Sequence, residues 1–258
     1  MSETRAESTR LRDQESPLRA STAPIASLDD SVVDEMWKLF DRYYVEVKRA
    51  SFERDLSNKD HVILLRDGSS GTLKGFSTLA AYFLELDGRP FQVIFSGDTV
   101  IDRAYWGQTA LQRAFLSFVI RRKLSHPLTP TYWFLITKGY KTYLLLARNF
   151  PEHWPRYDRS LPEVEARRIA LLASQRFGSA WQPDRGVLVF DRSVGRLRDD
   201  AAPVDARALS LPEVRFFLER NPNHAQGEEL CCIGRIDSGL WVSYLSKLAR
   251  RALDRRLP

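Results

Sequence analysis

The sequence has few of the residues that mark disulfide scaffolds or metal centres. Of its 258 residues, two are cysteines and four are histidines. Cys231 and Cys232 are adjacent, so on a strand their side chains point to opposite faces of the sheet. We interpret them as two buried small residues. The histidines stand at positions 61, 126, 153 and 224, and no pair has the spacing of metal ligands. A disulfide framework is therefore excluded, and we expect no metal.

Long apolar runs are also missing. The mean hydropathy is −0.35, and no run approaches the roughly 18 apolar residues of a membrane span. The first 24 residues, MSETRAESTRLRDQESPLRASTAP, have no apolar centre, which argues against a secretory signal peptide. Their polar composition predicts a disordered tail over residues 1–26. We therefore expect a cytoplasmic protein.

The chain does contain enough apolar residues for a sizeable core, together with an excess of positive charge. Apolar residues make up 43% of the sequence, the formal net charge is +6 and the pI is about 9.4. This balance suits an anionic partner, such as nucleic acid, an anionic membrane or an acidic protein. No recognised nucleic-acid motif accompanies the charge, so we expect no nucleic acid.

Hydrophobic periodicity in the first half predicts two helices followed by three strands and a further helix. The first helix covers residues 29–47, with Asp30 or Ser31 as its N-cap. A short helix over residues 52–56 follows. Strands at 61–66, 73–86 and 91–101, joined by tight turns, form an antiparallel meander. A helix then runs to about Lys123.

The second half predicts a strand at 131–138 and a helix at 139–150. After a proline-rich loop come a helix at 162–178, a strand at 186–191, a short helix capped by Ser210, and a strand at 228–236. Residues 238–257 form a strongly basic helix. This last helix could meet an anionic membrane or a carrier protein, or simply pack with its charges in solvent.

The stretch IDRAYWGQTALQRAFLSF, residues 101–118, joins an apolar strand to an amphipathic helix through a short polar turn. The first N–H groups of a helix lack partners and its dipole is positive at that end, so such a turn suits a phosphate. Phosphate-binding turns usually carry two or three glycines, whereas this one carries only Gly107. The pattern therefore predicts an anion site but leaves open whether it is retained.

The order of elements resembles the GNAT acyltransferase superfamily, most clearly over residues 29–150. The resemblance implies an α/β fold with a mixed, mostly antiparallel sheet flanked by helices. The strands at 186–191 and 229–236 would form a C-terminal hairpin, separated by a helical insertion. We interpret residues 27–258 as one domain, with its core at 29–150 and a C-terminal elaboration at 151–258.

Two motifs of that family can be compared with this sequence. In the cofactor turn, V-x-P-x-Y-R-G-x-G-x-G/A, Ile101, Tyr105 and Gly107 fit, whereas Trp106, Thr109 and Leu111 depart from the pattern. In the next motif, N-x-x-A-x-x-L-Y-x-x-x-G-F, Leu144 and Phe150 fit. The residues that depart from it are Lys138, Lys141, Leu145 and Asn149.

The resemblance implies an N-acyltransferase that takes an acyl group from a thioester donor, either acyl-CoA or an acyl-carrier protein. It places the donor at the strand end and turn, which comprise Thr99, Val100, Ile101, Trp106, Gly107, Gln108, Thr109 and Ala110. Because Thr109 and Leu111 add side chains, a phosphopantetheine arm on an acidic carrier protein would need less room than a nucleotide. A long acyl chain, as in relatives that make N-acyl amino acids, is allowed but not required.

The same resemblance suggests residues for the chemistry. Asp98, which interrupts an apolar strand, is the candidate general base, although it could instead cap a bulge or pair with an arginine. Tyr140 or Tyr143 could supply the proton that the family takes from the tyrosine replaced here by Leu145. Arg215 and Arg220 could grip an acceptor carboxylate, because guanidinium offers a planar fork of donors. The alternative function is a catalytically inactive GNAT-like module that binds a ligand or partner.

Overall fold

A computed structural model of the chain describes residues 16–190, 196–197 and 204–237. Seven α-helices occur in this part. They are α1 (Asp30–Tyr43), α2 (Arg49–Ser57), α3 (Ala110–Ser125), α4 (Tyr140–Asn149), α5 (Glu163–Phe177), α6 (Ala206–Leu209) and α7 (Pro212–Arg220).

The strands of the described part comprise two long ones of 14 and 13 residues, four of seven or eight residues and five of two residues. In chain order they are β1 (Leu18–Pro24), β2 (Tyr44–Val45), β3 (His61–Asp67), β4 (Leu73–Leu86), β5 (Arg89–Ile101), β6 (Thr131–Thr137), β7 (His153–Trp154), β8 (Trp181–Gln182), β9 (Val187–Leu188), β10 (Arg196–Leu197) and β11 (Glu229–Ile236). The mixed, mostly antiparallel sheet with flanking helices confirms the fold class predicted from the sequence.

The chain divides into two compact units, and β4 and β5 each run through both. The first unit comprises residues 1–80 and 96–125, and the second comprises residues 81–95 and 126–258. None of the helices in the described ranges combines the length and the apolarity that a bilayer crossing requires.

In the first unit, the strands lie in the order β1, β3, β4, β5. β1 pairs antiparallel with β3, from Leu18 opposite Asp67 to Pro24 opposite His61. One face of this sheet is covered by α1 and α2, whose buried apolar side chains join those of the strands in one core. Its largest members are Met36, Phe40, Phe52 and Phe76.

The second unit continues the strand order from β4 and β5 through β6, β11 and β9 to β8, while β7 also pairs with β11. β6 and β11 are antiparallel, with Thr137 opposite Leu230. On α5, the Arg168 guanidinium lies 4.2 Å from the ring centroid of Tyr132 and 5.2 Å from that of Phe91. These contacts attach α5 to the sheet through a buried cation on aromatic rings.

The start of the chain differs from its prediction. Residues 18–24 form β1, followed by a 3-10 turn at Ile25–Ser27, so the disordered tail predicted for residues 1–26 is wrong from residue 18 onward. Residues 1–15 lie outside the described part. The strand was missed because its order comes from backbone pairing with β3, whereas most of its side chains are small or polar and exposed.

Most other elements agree with the sequence to within a few residues, but two caps differ. The N-cap of α1 is Asp29, whose carboxylate accepts the Val32 N–H at 2.9 Å, rather than Asp30 or Ser31. Leu211, and not Ser210, is the N-cap of α7, because Ser210 instead follows α6.

The two predicted C-terminal strands do pair, but the first of them, β9, covers only Val187–Leu188 instead of residues 186–191. Leu230 of β11 lies opposite Val187 of β9 in an antiparallel pair, and α5, α6 and α7 precede or separate these strands. Cys231 and Cys232 are both buried on β11, and neither forms a disulfide within the described residues. The basic helix predicted for residues 238–257 lies outside the described residues.

Candidate functional site

The turn between β5 and α3 is built around Asp102. The backbone N–H of this residue donates to the Lys74 carbonyl at 2.7 Å, and its carboxylate accepts the Ala104 N–H at 3.4 Å. The carboxylate thereby caps a single 3-10 turn, Arg103–Tyr105. An aspartate at the end of a strand can thus start the turn because its short side chain reaches the N–H two residues on.

Three side chains fix this turn to the rest of the first unit. The Tyr105 hydroxyl donates to the buried Asp67 carboxylate at 2.9 Å. The indole N–H of Trp106 donates to the Ile101 carbonyl at 2.8 Å. Gln108 accepts the backbone N–H of Leu18 through Oε1, also at 2.8 Å. Trp106 and Gln108, both expected at the donor site, therefore also hold the backbone of the turn in place.

Asp67, which accepts the hydrogen bond from the Tyr105 hydroxyl, is a strong acceptor. Its pKa lies well below its ordinary value because the Ser69 hydroxyl, the Ser70 N–H and the Tyr105 hydroxyl all donate to it. Hydrogen bonds to the charged form favour that form. The carboxylate therefore stays ionised and keeps Tyr105 in place.

Gly107 sits in this turn with φ = +94°. That backbone conformation is costly for any residue with a side chain. A Cβ placed on Gly107 would have no heavy atom within 4 Å, so the space beside the backbone is open. Glycine here combines the required geometry with close access for a ligand.

Several N–H groups at the start of α3 point to no acceptor within the described part of the chain. They belong to Gly107, Thr109, Ala110, Leu111 and Gln112. By contrast, the N–H groups of Trp106 and Gln108 donate inside the turn, to Arg103 O at 3.1 Å and Tyr105 O at 3.3 Å. α3 is 16 residues long, so its dipole adds to the attraction for an anion at this end.

Cationic and phenolic groups surround Asp102. Arg42 approaches its carboxylate at 3.3 Å and Lys74 at 3.8 Å. The Tyr43 hydroxyl donates to Asp102 Oδ1 at 3.2 Å and accepts the Arg103 N–H at 2.8 Å. Partial burial raises the pKa of Tyr43, so the phenol stays protonated. The sequence reading did not assign this network, because Arg42 and Tyr43 lie on α1, far from Asp102 along the chain.

The strand end before the turn carries Asp98 and Thr99. Asp98 is partly exposed, and Thr99 Oγ1 lies 2.8 Å from Ser77 Oγ on the neighbouring strand. Val100 is buried in the core, and Ile101 is partly exposed. The predicted donor-site residues from Thr99 to Ala110 thus follow one another along one strand end and one turn of the first unit.

Beside Asp98, Gly97 lies against a buried lysine that the sequence reading missed. A Cβ on Gly97 would be 2.5 Å from Lys59 Cε and 2.7 Å from Thr78 Oγ1. The Lys59 side chain is only 1% exposed, and its Nζ lies 2.6 Å from Asp55 Oδ2. No sequence pattern reveals this contact, because Lys59, in the connection between α2 and β3, meets Gly97 of β5 only in the folded first unit.

The two candidate proton donors lie on α4, in the second unit. Tyr143 is fully buried, and its hydroxyl donates to the Pro155 carbonyl at 2.9 Å. Burial raises the pKa of Tyr143, so this phenol gives up its proton less readily. Tyr140, at the first position of α4, is 8% exposed. Leu145 has 38% of its surface exposed.

The two candidate arginines both belong to α7, and both are exposed. Arg215 donates through Nη1 to the carbonyls of Leu209 at 3.0 Å and Ser210 at 3.1 Å, which end the preceding helix. Arg220 donates through Nη2 to Arg185 O at 3.3 Å.

In the ranges 16–190 and 204–237, no group of three or more His, Cys, Asp or Glu side chains is placed to hold a metal ion.

No protein-family model and no curated protein matches this sequence. Several solved structures are similar in part. A probable N-acyltransferase from Enterococcus faecalis matches at 16% identity and a TM-score of 0.38, over 56% of this chain and 38% of its own. A GNAT-family N-acetyltransferase from Escherichia coli, in complex with CoA, matches at 14% identity and a TM-score of 0.36, over 55% and 78%.

A further partial likeness is to an acyl-CoA N-acyltransferase from Pseudomonas aeruginosa, at 15% identity and a TM-score of 0.36. It covers 52% of this chain and 88% of that one. Each of these likenesses covers about half of this chain, which spans 38% of the Enterococcus faecalis protein. A likeness at these TM-scores assigns no residue of the site.

Proposed function

We propose that this protein is an N-acyltransferase that moves an acyl group from a thioester donor to an amine. The observation that carries the proposal is the start of α3. There, a glycine with positive φ and open space adjoins several N–H groups that have no acceptor within the described residues. Such an array favours a phosphate, and thioester donors carry phosphate on their pantetheine arm.

In the proposed reaction, the donor phosphate contacts the backbone of Gly107, Thr109 and Ala110. The amine nitrogen attacks the thioester carbonyl carbon, the carbon–sulfur bond breaks, and the sulfur leaves as a thiolate that takes up a proton. N–H groups at the strand end from Thr99 to Ile101 would polarise the carbonyl oxygen. Asp98 would accept the proton that the amine loses.

Of the two tyrosines, we favour Tyr140 as the proton donor to the thiolate. Tyr143 is fully buried, and its hydroxyl is already bound to Pro155 O at 2.9 Å. Donating from there would require breaking that bond, and the raised pKa makes the transfer less favourable. Tyr140 lies at the N-terminal end of α4 and keeps a small exposed fraction.

The proposed donor is acyl-CoA or an acyl group on a carrier protein. Arg103 lies over the Trp106 ring at 5.7 Å, and Lys74 lies over the Tyr105 ring at 5.5 Å, so cations stand beside the turn. The chain as a whole has a net charge of +6, which would suit an acidic carrier. We also propose an anionic membrane surface as a partner of the basic segment at residues 238–257.

A catalytically inactive binding module is the second candidate function. It is favoured by Leu145, an exposed aliphatic residue where the family pattern has a tyrosine, and by Thr109 and Leu111 in place of small residues. On this alternative, the turn would bind a phosphate-bearing ligand without transferring the acyl group.

An activity assay with a matched variant separates the two functions. Purified protein is given acyl-CoA or acyl-carrier protein with a panel of amines, and the free thiol released is measured. We expect amine-dependent thiol release by the wild type, and a loss of about tenfold or more in Asp98→Asn, because a general base is removed. The melting temperature should change little.

Two results would contradict this proposal. If no donor and amine combination releases thiol although CoA binds, the protein is a binding module. If Asp98→Asn lowers the melting temperature while turnover per folded molecule is unchanged, the aspartate is structural.

A further inference from the structure

A cavity of about 300 Å³ opens in the second unit, among α5, the β8–β9 hairpin and the start of β11. This volume lies at the lower end of the range for small-molecule pockets. Most of the lining is apolar: Ile169 and Ala170 come from α5, Trp181 from β8, and Leu230 from β11. Cys231 also lines the cavity. The lining therefore suits an apolar molecule or the apolar part of a larger one.

Small residues keep this cavity open. Ala166 and Ala170 are four positions apart, so they lie on the same face of α5. Gly186, with φ = +73°, contributes backbone without a side chain. Larger aliphatic residues at any of these positions would occupy the space. The cavity is therefore defined by specific positions that can be changed singly.

Arg220 is one of two arginines that line the cavity, the other being Arg167. Its neighbours have carboxylate partners, because Arg167 pairs with Asp87 and Arg185 pairs with Glu228. Within the described residues, Arg220 has no carboxylate partner and donates only to Arg185 O, at 3.3 Å. A guanidinium carries five N–H donors, so most of those on Arg220 remain available to a ligand.

We propose that this cavity binds a small carboxylic acid with an apolar body, with the carboxylate on Arg220 and the apolar part among Ile169, Trp181 and Leu230. A planar guanidinium can bind a carboxylate through two parallel hydrogen bonds. No second cation without a partner lines the cavity in the described residues, which favours a singly charged anion over a phosphate. Binding of a carboxylic acid here does not rest on the proposed acyl transfer and can be tested without it.

Calorimetric titration of the full-length protein tests this site. The probes are octanoate, octanol and octyl phosphate, which share one apolar chain and differ only in the head group. We expect octanoate to bind more tightly than octanol and octyl phosphate. Arg220→Gln should weaken octanoate binding about tenfold or more and leave octanol unchanged, because only the charged contact is lost.

Two further variants complete the test. Ala170→Phe should abolish the binding of all three probes by filling the cavity, and Ala166→Leu serves the same purpose if the first variant melts at a lower temperature. Arg207→Gln, which removes an exposed arginine from α6, should leave binding unchanged.

The proposal is overturned if octanoate does not bind, if it binds no better than octanol, or if Arg220→Gln leaves its affinity unchanged. If octyl phosphate binds more tightly than octanoate, the cavity is a phosphate site and the carboxylate proposal is wrong. CoA binding at the turn is measured separately with the same protein preparations, so either site can fail without the other.

Discussion

The surroundings of Gly97 leave no room for a side chain. A Cβ would be 2.5 Å from Lys59 Cε and 2.7 Å from Thr78 Oγ1, and both neighbours are buried. We expect Gly97→Ala to destabilise the fold by about 1–3 kcal/mol, as overpacking in a tight interior does. Chemical denaturation of the purified variant measures this change.

The cause of that destabilisation can be checked with a double mutant. Lys59→Ala removes one of the two clashing groups, so Gly97→Ala should cost less in the Lys59→Ala background than in the wild type. If the losses of unfolding free energy in the two single variants simply add in the double variant, contact with Lys59 is not the cause of the destabilisation. Gly139→Ala is a suitable control, because a Cβ there would meet no heavy atom within 4 Å.

At the scale of single residues, the sequence predicted positions better than contacts. Gly107 was identified from its place between a strand and a helix, and the structure gives it a positive φ in open space. Lys59 was not identified, because nothing near it in the sequence shows that it lies against Gly97. Tyr143 was recognised as a candidate, but its hydrogen bond to Pro155 O could not be read from periodicity.

At the scale of elements, the bond between Asp67 and Tyr105 joins the end of β3 to the turn before α3. The pKa of Asp67 is lowered in the folded protein, chiefly because the Ser69 hydroxyl donates to it. A group with a lowered folded pKa stabilises the fold above its unfolded pKa, and this contribution is lost as the pH falls below that value. The stabilisation from Asp67 is therefore complete above about pH 4 and is lost progressively at lower pH.

We accordingly expect Asp67→Asn to lower the melting temperature at pH 7 and the difference from wild type to narrow as the pH falls below about 4. Melting curves from pH 7 to pH 2 check this. Asp184→Asn, at an exposed loop position, should follow the wild type throughout. A difference between Asp67→Asn and wild type that stays constant with pH would contradict the electrostatic explanation.

The elements themselves were largely predictable, for physical reasons that differ along the chain. α1 buries apolar side chains at helical spacing, and β3, β4 and β5 contain continuous runs of buried residues, two patterns that the sequence displays directly. β1 shows neither pattern, because only Leu18 among its residues is buried and its order comes from backbone pairing. The contact between Leu18 and Gln108 was missed for the same reason.

At the scale of the whole molecule, the chain was interpreted as one domain over residues 27–258, and this stays a prediction. Two compact units can be distinguished, but β4 and β5 belong to both. We therefore expect a single cooperative unfolding transition in scanning calorimetry, with equal calorimetric and van't Hoff enthalpies. Two resolved transitions would show that the units unfold independently.

The central claim is that the turn around Gly107 binds a phosphate-bearing donor, and calorimetric titration with CoA tests it most directly. Long-chain acyl-CoA and an acyl-carrier protein are titrated alongside, at low and moderate salt. Gly107→Trp should lose binding, because a bulky side chain fills the open space. Gly71→Trp is the matched control, since Gly71 also has a positive φ, +71°, and an open Cβ position.

We predict that CoA or the carrier protein binds the wild type and Gly71→Trp, and that Gly107→Trp binds at least about tenfold more weakly. Binding of the carrier alone would identify a phosphopantetheine site, and higher salt should weaken it because exposed charges are then screened. No binding of any donor, or equal binding by both tryptophan variants, would contradict the claim that this turn holds phosphate.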